Sequence, residues 1–181
     1  MKNLDRFLQR KRIEQAKQYI KPEYRILDIG CGEGALFKFP GINFLKGVGI
    51  DPTLNKQVST SKYELISGQF PKDLNTSEKF DLIIMLAVIE HFTDTDLKSL
   101  EENCSQYLGE KGKVVITAPS VLVDYILEIL IFFKIIDGMS LEEHHGFKPK
   151  DTITCFSKKF KLIKRKKFQL GLNNLFVFEK I

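Results

Sequence analysis

Three groups of residues in this 181-residue chain have types and spacings suited to chemistry. The first is Leu27-Asp-Ile-Gly-Cys-Gly-Glu-Gly34, in which Gly30, Gly32 and Gly34 alternate behind an apolar run, with Cys31 between the first two. Glycines in such a place let the backbone turn tightly and approach a ligand with no Cβ in the way. The second group is a pair of carboxylates. Asp51 lies about twenty residues beyond Gly30, where a carboxylate can accept hydrogen bonds from both hydroxyls of a ribose. Asp28 precedes Gly30 by two and aims a second carboxylate at the turn, where it repels a pyrophosphate but suits a cation. The third group is the histidines, His91, His144 and His145. These are the side chains whose ordinary pKa allows acid–base work near neutrality.

These groups need elements to hold them. Asp5 to Ile20 has helical composition and is stopped by Pro22. Strands are expected at Tyr24 to Ile29, Leu45 to Ile50, Tyr63 to Ile66 and Lys113 to Thr117, with a helix following the glycine turn and directing its free N–H groups at it. Phe80 to Leu86 is a near-continuous apolar run, as expected when both faces of a parallel sheet are covered. From Asp94 to Tyr107, apolar Leu97, Leu100, Cys104 and Tyr107 recur at helical spacing, and Gly109 offers a stop. A long helix is expected from Val121 and a short one between Pro149 and Ser157. Phe160 to Phe168 and Leu175 to Lys180 read as two final strands. Too few residues separate them for a parallel crossover, so they pair antiparallel. The implied fold is one α/β domain over 1–181, a Rossmann-like three-layer sandwich. Its seven-stranded, mostly parallel sheet ends in an antiparallel hairpin, with an N-terminal helical segment over 1–22 and a helical cap over 120–157.

Composition narrows the class further. The chain is large enough to bury a core without disulfides, and its cysteines, Cys31, Cys104 and Cys155, have no metal-ligand spacing. They are read as reduced thiols in a cytoplasmic protein, and no metal site is expected. The N-terminus is basic rather than apolar, unlike a secretory leader. Seven positive residues fall between Lys158 and Lys167. With no aromatic ladder or nucleic-acid motif beside them they are read as a solvated strand edge, and no nucleic-acid partner is expected. The apolar stretch from Val121 to Ile136 carries Asp124, Glu128 and Lys134 and is too short and charged to span a membrane. It can serve as a buried helix, a substrate lid, a dimer contact or a peripheral membrane patch.

The glycine turn alone admits two cofactors, because Gly30, Gly32 and Ala35 also fit a dinucleotide fingerprint and leave a nicotinamide-dependent oxidoreductase open. A wider set of segments resembles class I S-adenosylmethionine-dependent methyltransferases, of the small-molecule and polysaccharide-cluster type. Leu27 to Gly34 looks like their first motif and Val48-Gly-Ile-Asp51 like their second. Phe80 to Phe92, with its Glu90-His91 pair, is similar to their fourth-strand segment, and Leu108 to Pro119 to their fifth. The resemblance covers nearly the whole chain in order. It implies that Asp28, Gly30, Cys31, Gly32 and Gly34 hold the methionine part of S-adenosylmethionine and that Asp51 holds its ribose. It further implies that Gln69 and Phe70 flank the adenine and that Leu86 lines the floor; the family commonly has an acid where this chain has Gln69. Glu90, His91 and His145 resemble part of the metal set of RNA 3′-end methyltransferases, but the additional glutamate of that set is replaced here by Ala87. The expected activity is methyl transfer, chiefly to oxygen, of a small or lipid-linked acceptor, with His145 and His91 as candidate catalytic groups. A non-catalytic scaffold that keeps the cofactor fold is the remaining alternative.

Overall fold

The computed structural model describes residues 3–120 and 148–181. Helix α1 (Asn3–Lys17) leads into β1 (Arg25–Ile29). There follow β2 (Lys46–Asp51), β3 (Val58–Ser59), β4 (Tyr63–Ser67) and β5 (Phe80–Leu86). A 3-10 turn (Ile89–His91) then leads to α2 (Asp94–Tyr107), β6 (Leu108–Pro119), the short α3 (Asp151–Cys155), β7 (Phe160–Phe168) and β8 (Asn173–Lys180). The expected helix from Val121, and with it most of the cap, lies outside the described residues.

The strands form one sheet in the order β3-β4-β2-β1-β5-β6-β8-β7. The pairs β4·β2, β2·β1, β1·β5 and β5·β6 are parallel, and β6·β8 and β8·β7 are antiparallel. This is the expected Rossmann-like sheet with its terminal hairpin, enlarged by one strand. The eighth, β3, pairs antiparallel with β4 over two residues, too short to leave a periodic signal. The chain runs outward in one direction from β1 to β2 and β4, then returns to lay β5 and β6 on the other side. The switch point falls between β1 and β5, where open α/β sheets bind ligands at the carboxyl ends of their strands.

Strand alternation divides the core into two faces. On one, Leu27, Ile29, Ile83, Met85, Val114 and Ile116 pack with Leu100 and Cys104 of α2. On the other, Ile26, Leu82, Ile84, Val115 and Val177 pack with Ile13 and Ala16 of α1. Thr93 starts α2 with a reciprocal cap: its Oγ1 accepts from Asp96 N (3.2 Å) and its own N–H donates to Asp96 Oδ2 (3.3 Å). Helix α2 ends at Tyr107 on Leu108, which already has extended backbone, so the stop falls before Gly109. Strand β6 is consequently longer than its apolar core, pairing Leu108 with Phe80 before a register shift brings Lys113 opposite Leu82.

One expectation fails at an informative place. No α-helix follows the glycine turn. Residues 31–41 form successive turns, tied by Gly34 N to Cys31 O (3.0 Å), Lys38 N to Gly34 O (3.2 Å) and Phe39 N to Leu36 O (3.2 Å). Between the left-handed Gly34 and the breakers Pro40 and Gly41 there is room for barely one helical turn.

Candidate active site

The glycine turn and the acid of β2 meet directly. Gly32 N donates to Asp51 Oδ2 (2.8 Å), while Oδ1 accepts from both the backbone N (2.8 Å) and the hydroxyl (2.6 Å) of Thr53. Gly30 N donates to Ile50 O (2.8 Å), which fastens the turn to the end of β2. Both glycines have left-handed backbone, φ +74° and +51°, but they face different surroundings. A Cβ on Gly30 would lie 2.3 Å from Val88 Cγ2, whereas a Cβ on Gly32 would meet nothing within 4 Å. Gly30 is therefore glycine for packing, and Gly32 opens onto space that a ligand can approach.

Asp28 is 4% exposed, on the α1 side of β1. Burial pushes its carboxyl well above the usual carboxylate range, and the neighbouring Asp51 charge pushes it further. The Cys31 thiol is raised by its burial and by the same two acids, so it is no thiolate nucleophile. The turn is thus an acidic, water-poor cradle.

The remaining expected residues take distinct places. Gln69 is exposed beyond β4; its N–H donates to Asp73 Oδ2 (2.8 Å), and the adjacent Gly68 N binds Asp51 O (3.2 Å), bringing this loop to the end of β2. Phe70 is half-buried, its ring 5.6 Å from that of Tyr107, and with Pro71, Phe92 and Asp96 it lines a shallow cleft against α2. Leu86 ends β5 opposite Thr117 of β6, on the α1 side of the sheet. His91, half-buried, closes the 3-10 turn, its N–H bound to Val88 O (3.0 Å). His144 and His145 lie outside the described residues. Among the described residues, no three metal-ligating side chains gather.

Four features were not read from the sequence. Val88 wedges against Gly30. Thr53 holds Asp51, an acid-x-Thr spacing that was open to recognition. Ala87 carries left-handed backbone (φ +58°) between β5 and the 3-10 turn, with its N–H on Thr117 O (2.9 Å). Arg12 of α1 is half-buried near Glu90 and Asp5; desolvation lowers its pKa and the two acids oppose that shift.

Fold and site together define a nucleotide-type cofactor-binding α/β protein. The comparisons make the class specific. A family model described as "Methyltransferase domain" matches residues 2–161, and the chain belongs to that family. A ubiquinone biosynthesis O-methyltransferase of Rhodopseudomonas palustris (strain HaA2) is 26% identical over 148 residues, covering 68% of this chain and 57% of the relative. The chain thus spans little more than half of that protein's length. Among solved structures, the N-methyltransferase NodS of Bradyrhizobium japonicum WM9 shares the fold with a TM-score of 0.67 at 15% identity, covering 98% of this chain and 97% of that one. Magnesium protoporphyrin IX methyltransferase of Synechocystis PCC 6803 does so with a TM-score of 0.68 at 10% identity, covering 97% and 85%.

The residues present fit S-adenosylmethionine as a methyl donor better than a dinucleotide. The open position at Gly32 admits a ligand against bare backbone, and the two buried carboxylates favour a sulfonium and an ammonium over a pyrophosphate.

Proposed function

We propose that this protein methylates a hydroxyl oxygen of a small or lipid-linked molecule. The observation that carries the reading is the junction of Gly32 N with Asp51 Oδ2 beside the open position at Gly32, which supports Asp51 as the ribose partner. The relative from Rhodopseudomonas palustris, itself an O-methyltransferase by name, supports oxygen as the acceptor atom. When bound, the donor supplies an electrophilic methyl on a sulfonium, whose bonding electrons return to sulfur as the acceptor oxygen takes the methyl.

The chain's own residues then have five tasks. Asp28, with the backbone of Gly30, Cys31, Gly32 and Gly34, holds the cationic amino-acid end. Asp51, with Thr53 fixing its carboxylate, accepts from the ribose diol. Gln69 and Phe70 flank the base, a glutamine carbonyl being able to accept from an exocyclic amine, and Leu86 excludes water beneath the reacting atoms. The acceptor's hydroxyl proton passes to His91 or His145, imidazoles suited to that transfer near neutral pH. Positioning alone can supply on the order of 7–11 kcal/mol of the barrier reduction at best, so a base matters only where the hydroxyl is weakly acidic.

A lipid-linked acceptor is favoured by the basic strand β7, where Lys161, Lys164, Arg165, Lys166 and Lys167 are exposed, a charge pattern that attracts anionic surfaces. No helix among the described residues is long and apolar enough to cross a membrane. A cytoplasmic, single-domain protein acting peripherally completes the proposal.

Titration calorimetry with S-adenosylhomocysteine and NAD, followed by transfer of labelled methyl from the donor, tests the reading. Affinity for the first ligand and not the second, with turnover, is the expected result. Binding without turnover on any acceptor leaves a scaffold in place of an enzyme, and a preference for NAD ends the reading.

A further inference from the structure

At the carboxyl end of the sheet, beyond the cradle, five buried side-chain atoms have no hydrogen-bond partner among the described residues: Thr117 Oγ1, Ser120 Oγ, Gln169 Nε2, Asn173 Oδ1 and Asn174 Oδ1. Thr117, Asn173 and Asn174 are at most 3% exposed. Native proteins leave few buried polar atoms unpaired, because each forfeits its bonds to water without replacement. Five in one neighbourhood is a concentration that calls for a partner.

They are neighbours by register. Pro119 lies opposite Asn173 and Ala118 opposite Asn174. Ser120 N donates to Leu172 O (2.8 Å), joining the end of β6 to the β7–β8 turn. Asn173 Nδ2 donates to Gln169 Oε1, so that amide pair presents one unpaired acceptor, Asn173 Oδ1, and one unpaired donor, Gln169 Nε2. Strand parity puts Thr117 and Asn173 on the α1 side of the sheet, the side that also carries Asp51, Asp28 and Leu86. In the order β2, β1, β5, β6, β8, the carboxyl-end margin of that face therefore carries Asp51, Asp28, Leu86, Thr117 and Asn173, on staggered levels. Its first half is acidic, its second half polar and uncharged.

We propose that Thr117, Gln169 and Asn173, with Ser120 beside them, form the acceptor-recognition site, and that it takes an uncharged group that both donates and accepts hydrogen bonds. A polyhydroxylated ring, phenolic or sugar-like, has that chemistry. A carboxylate or phosphate would require a cation among these atoms, and an ammonium would require a carboxylate; they include neither. Lys167, the cation opposite Asn174 across the hairpin, is exposed to solvent. This inference rests on the methyltransferase reading and specifies its substrate class.

The test uses the full chain, saturated with S-adenosylhomocysteine, and its T117V and N173L variants. Probes are catechol and methyl β-glucoside, uncharged, against 3,4-dihydroxybenzoate and glucose 6-phosphate, their charged counterparts. Thermal shift reads binding, and methyl transfer from labelled donor reads turnover. In the wild type an uncharged probe raises the melting temperature more than its charged counterpart does; which one does so separates a phenolic from a sugar acceptor. Thr117→Val leaves the melting temperature of the probe-free protein unchanged or higher, because it removes an unpaired hydroxyl. It keeps S-adenosylhomocysteine affinity within twofold and weakens the responding probe tenfold or more, as does Asn173→Leu. The inference is overturned if neither uncharged probe binds, if the charged probes bind equally well, if both variants keep the response, or if T117V lowers the melting temperature of the probe-free protein. Failure of S-adenosylhomocysteine itself to bind the wild type is a different result, and removes the parent reading as well.

Discussion

Gly32→Ala separates the fold's need for glycine from the ligand's. At φ +51° an alanine pays for left-handed backbone, about 1–2 kcal/mol. Its Cβ meets no atom within 4 Å, so nothing else in the protein has to give. For a domain of this size each kcal/mol lowers Tm by about 2–4 °C, and the variant should melt roughly 2–8 °C below wild type. The methyl nevertheless enters the space assigned to the donor. If overpacking there costs the usual 1–3 kcal/mol or so, S-adenosylhomocysteine binds roughly 5- to 150-fold more weakly. Gly30→Ala reverses the balance. It bears the same backbone cost plus a Cβ placed 2.3 Å from Val88 Cγ2, for about 2–5 kcal/mol in all, and should be the less stable of the two. Gly32→Asn sharpens the contrast, since asparagine tolerates the left-handed region better than alanine but projects further. It should melt above Gly32→Ala and bind more weakly still. Calorimetry and thermal melts on the three variants decide the matter. A Gly32→Ala protein that binds S-adenosylhomocysteine like wild type, or that is as unstable as Gly30→Ala, refutes the assignment of that space to the donor.

Asp28 has a folded-state pKa raised above its unfolded value by burial and by Asp51. Its contribution to stability is therefore complete below about pH 4 and is lost as pH rises through the raised value. Asp28→Asn should raise Tm at neutral and alkaline pH and flatten its pH dependence, while weakening the cationic donor; a Tm that falls instead would show the carboxylate paired in the free protein. Glu101 Oε1 accepts from Lys158 N (2.7 Å) and Lys159 N (2.8 Å) at the entry to β7. Glu101→Ala should cost about 1–3 kcal/mol, Glu101→Gln less, by urea titration, and equal losses would remove the backbone contacts as the reason. Ala87→Gly releases left-handed strain worth about 1–2 kcal/mol, partly offset by about 0.4–1 kcal/mol of added unfolded-chain freedom, and should raise Tm by about a degree or two in a thermal melt; a lower Tm would show Ala87 unstrained.

Legibility in the sequence followed the cause of each feature. Where one face or both faces of an element are buried, the pattern is local: β5 and helix α2 fall on their expected bounds, and β7, exposed along most of its length, is bounded by the buried Phe160 and Phe168. The hairpin followed from loop length alone. The contact between Gly32 and Asp51 joins two motifs known by their spacing, but the contact itself depends on the fold and was not read from the sequence. Val88 against Gly30, and the unpaired amides of the β6–β8 corner, arise from which strand end lies beside which. No periodicity in a single segment encodes that. Strand β3 was too short to register, and the two residues of its ladder depend on β4 rather than on their own propensity.

The missing helix after the glycine turn bears on the choice of cofactor. A dinucleotide site draws its pyrophosphate to a helix N-terminus, whose free N–H groups act as a partial positive charge. Here residues 31–41 form turns, and the freed Gly32 N–H is taken by Asp51 Oδ2. With no aligned peptide dipoles to oppose them, Asp28 and Asp51 set the potential of the cradle, and that potential is negative. An anion entering it would face the Asp51 charge at low dielectric, where like-charge repulsion amounts to several kcal/mol. A ligand that brings its own positive charge relieves the repulsion and lowers the raised pKa of Asp28 as it binds. Donor binding should therefore release protons near the pH at which Asp28 titrates, visible as buffer-dependent heats in calorimetry. Identical heats in buffers of different ionisation enthalpy across that range would show that the acidic cradle and the donor's charge are not coupled.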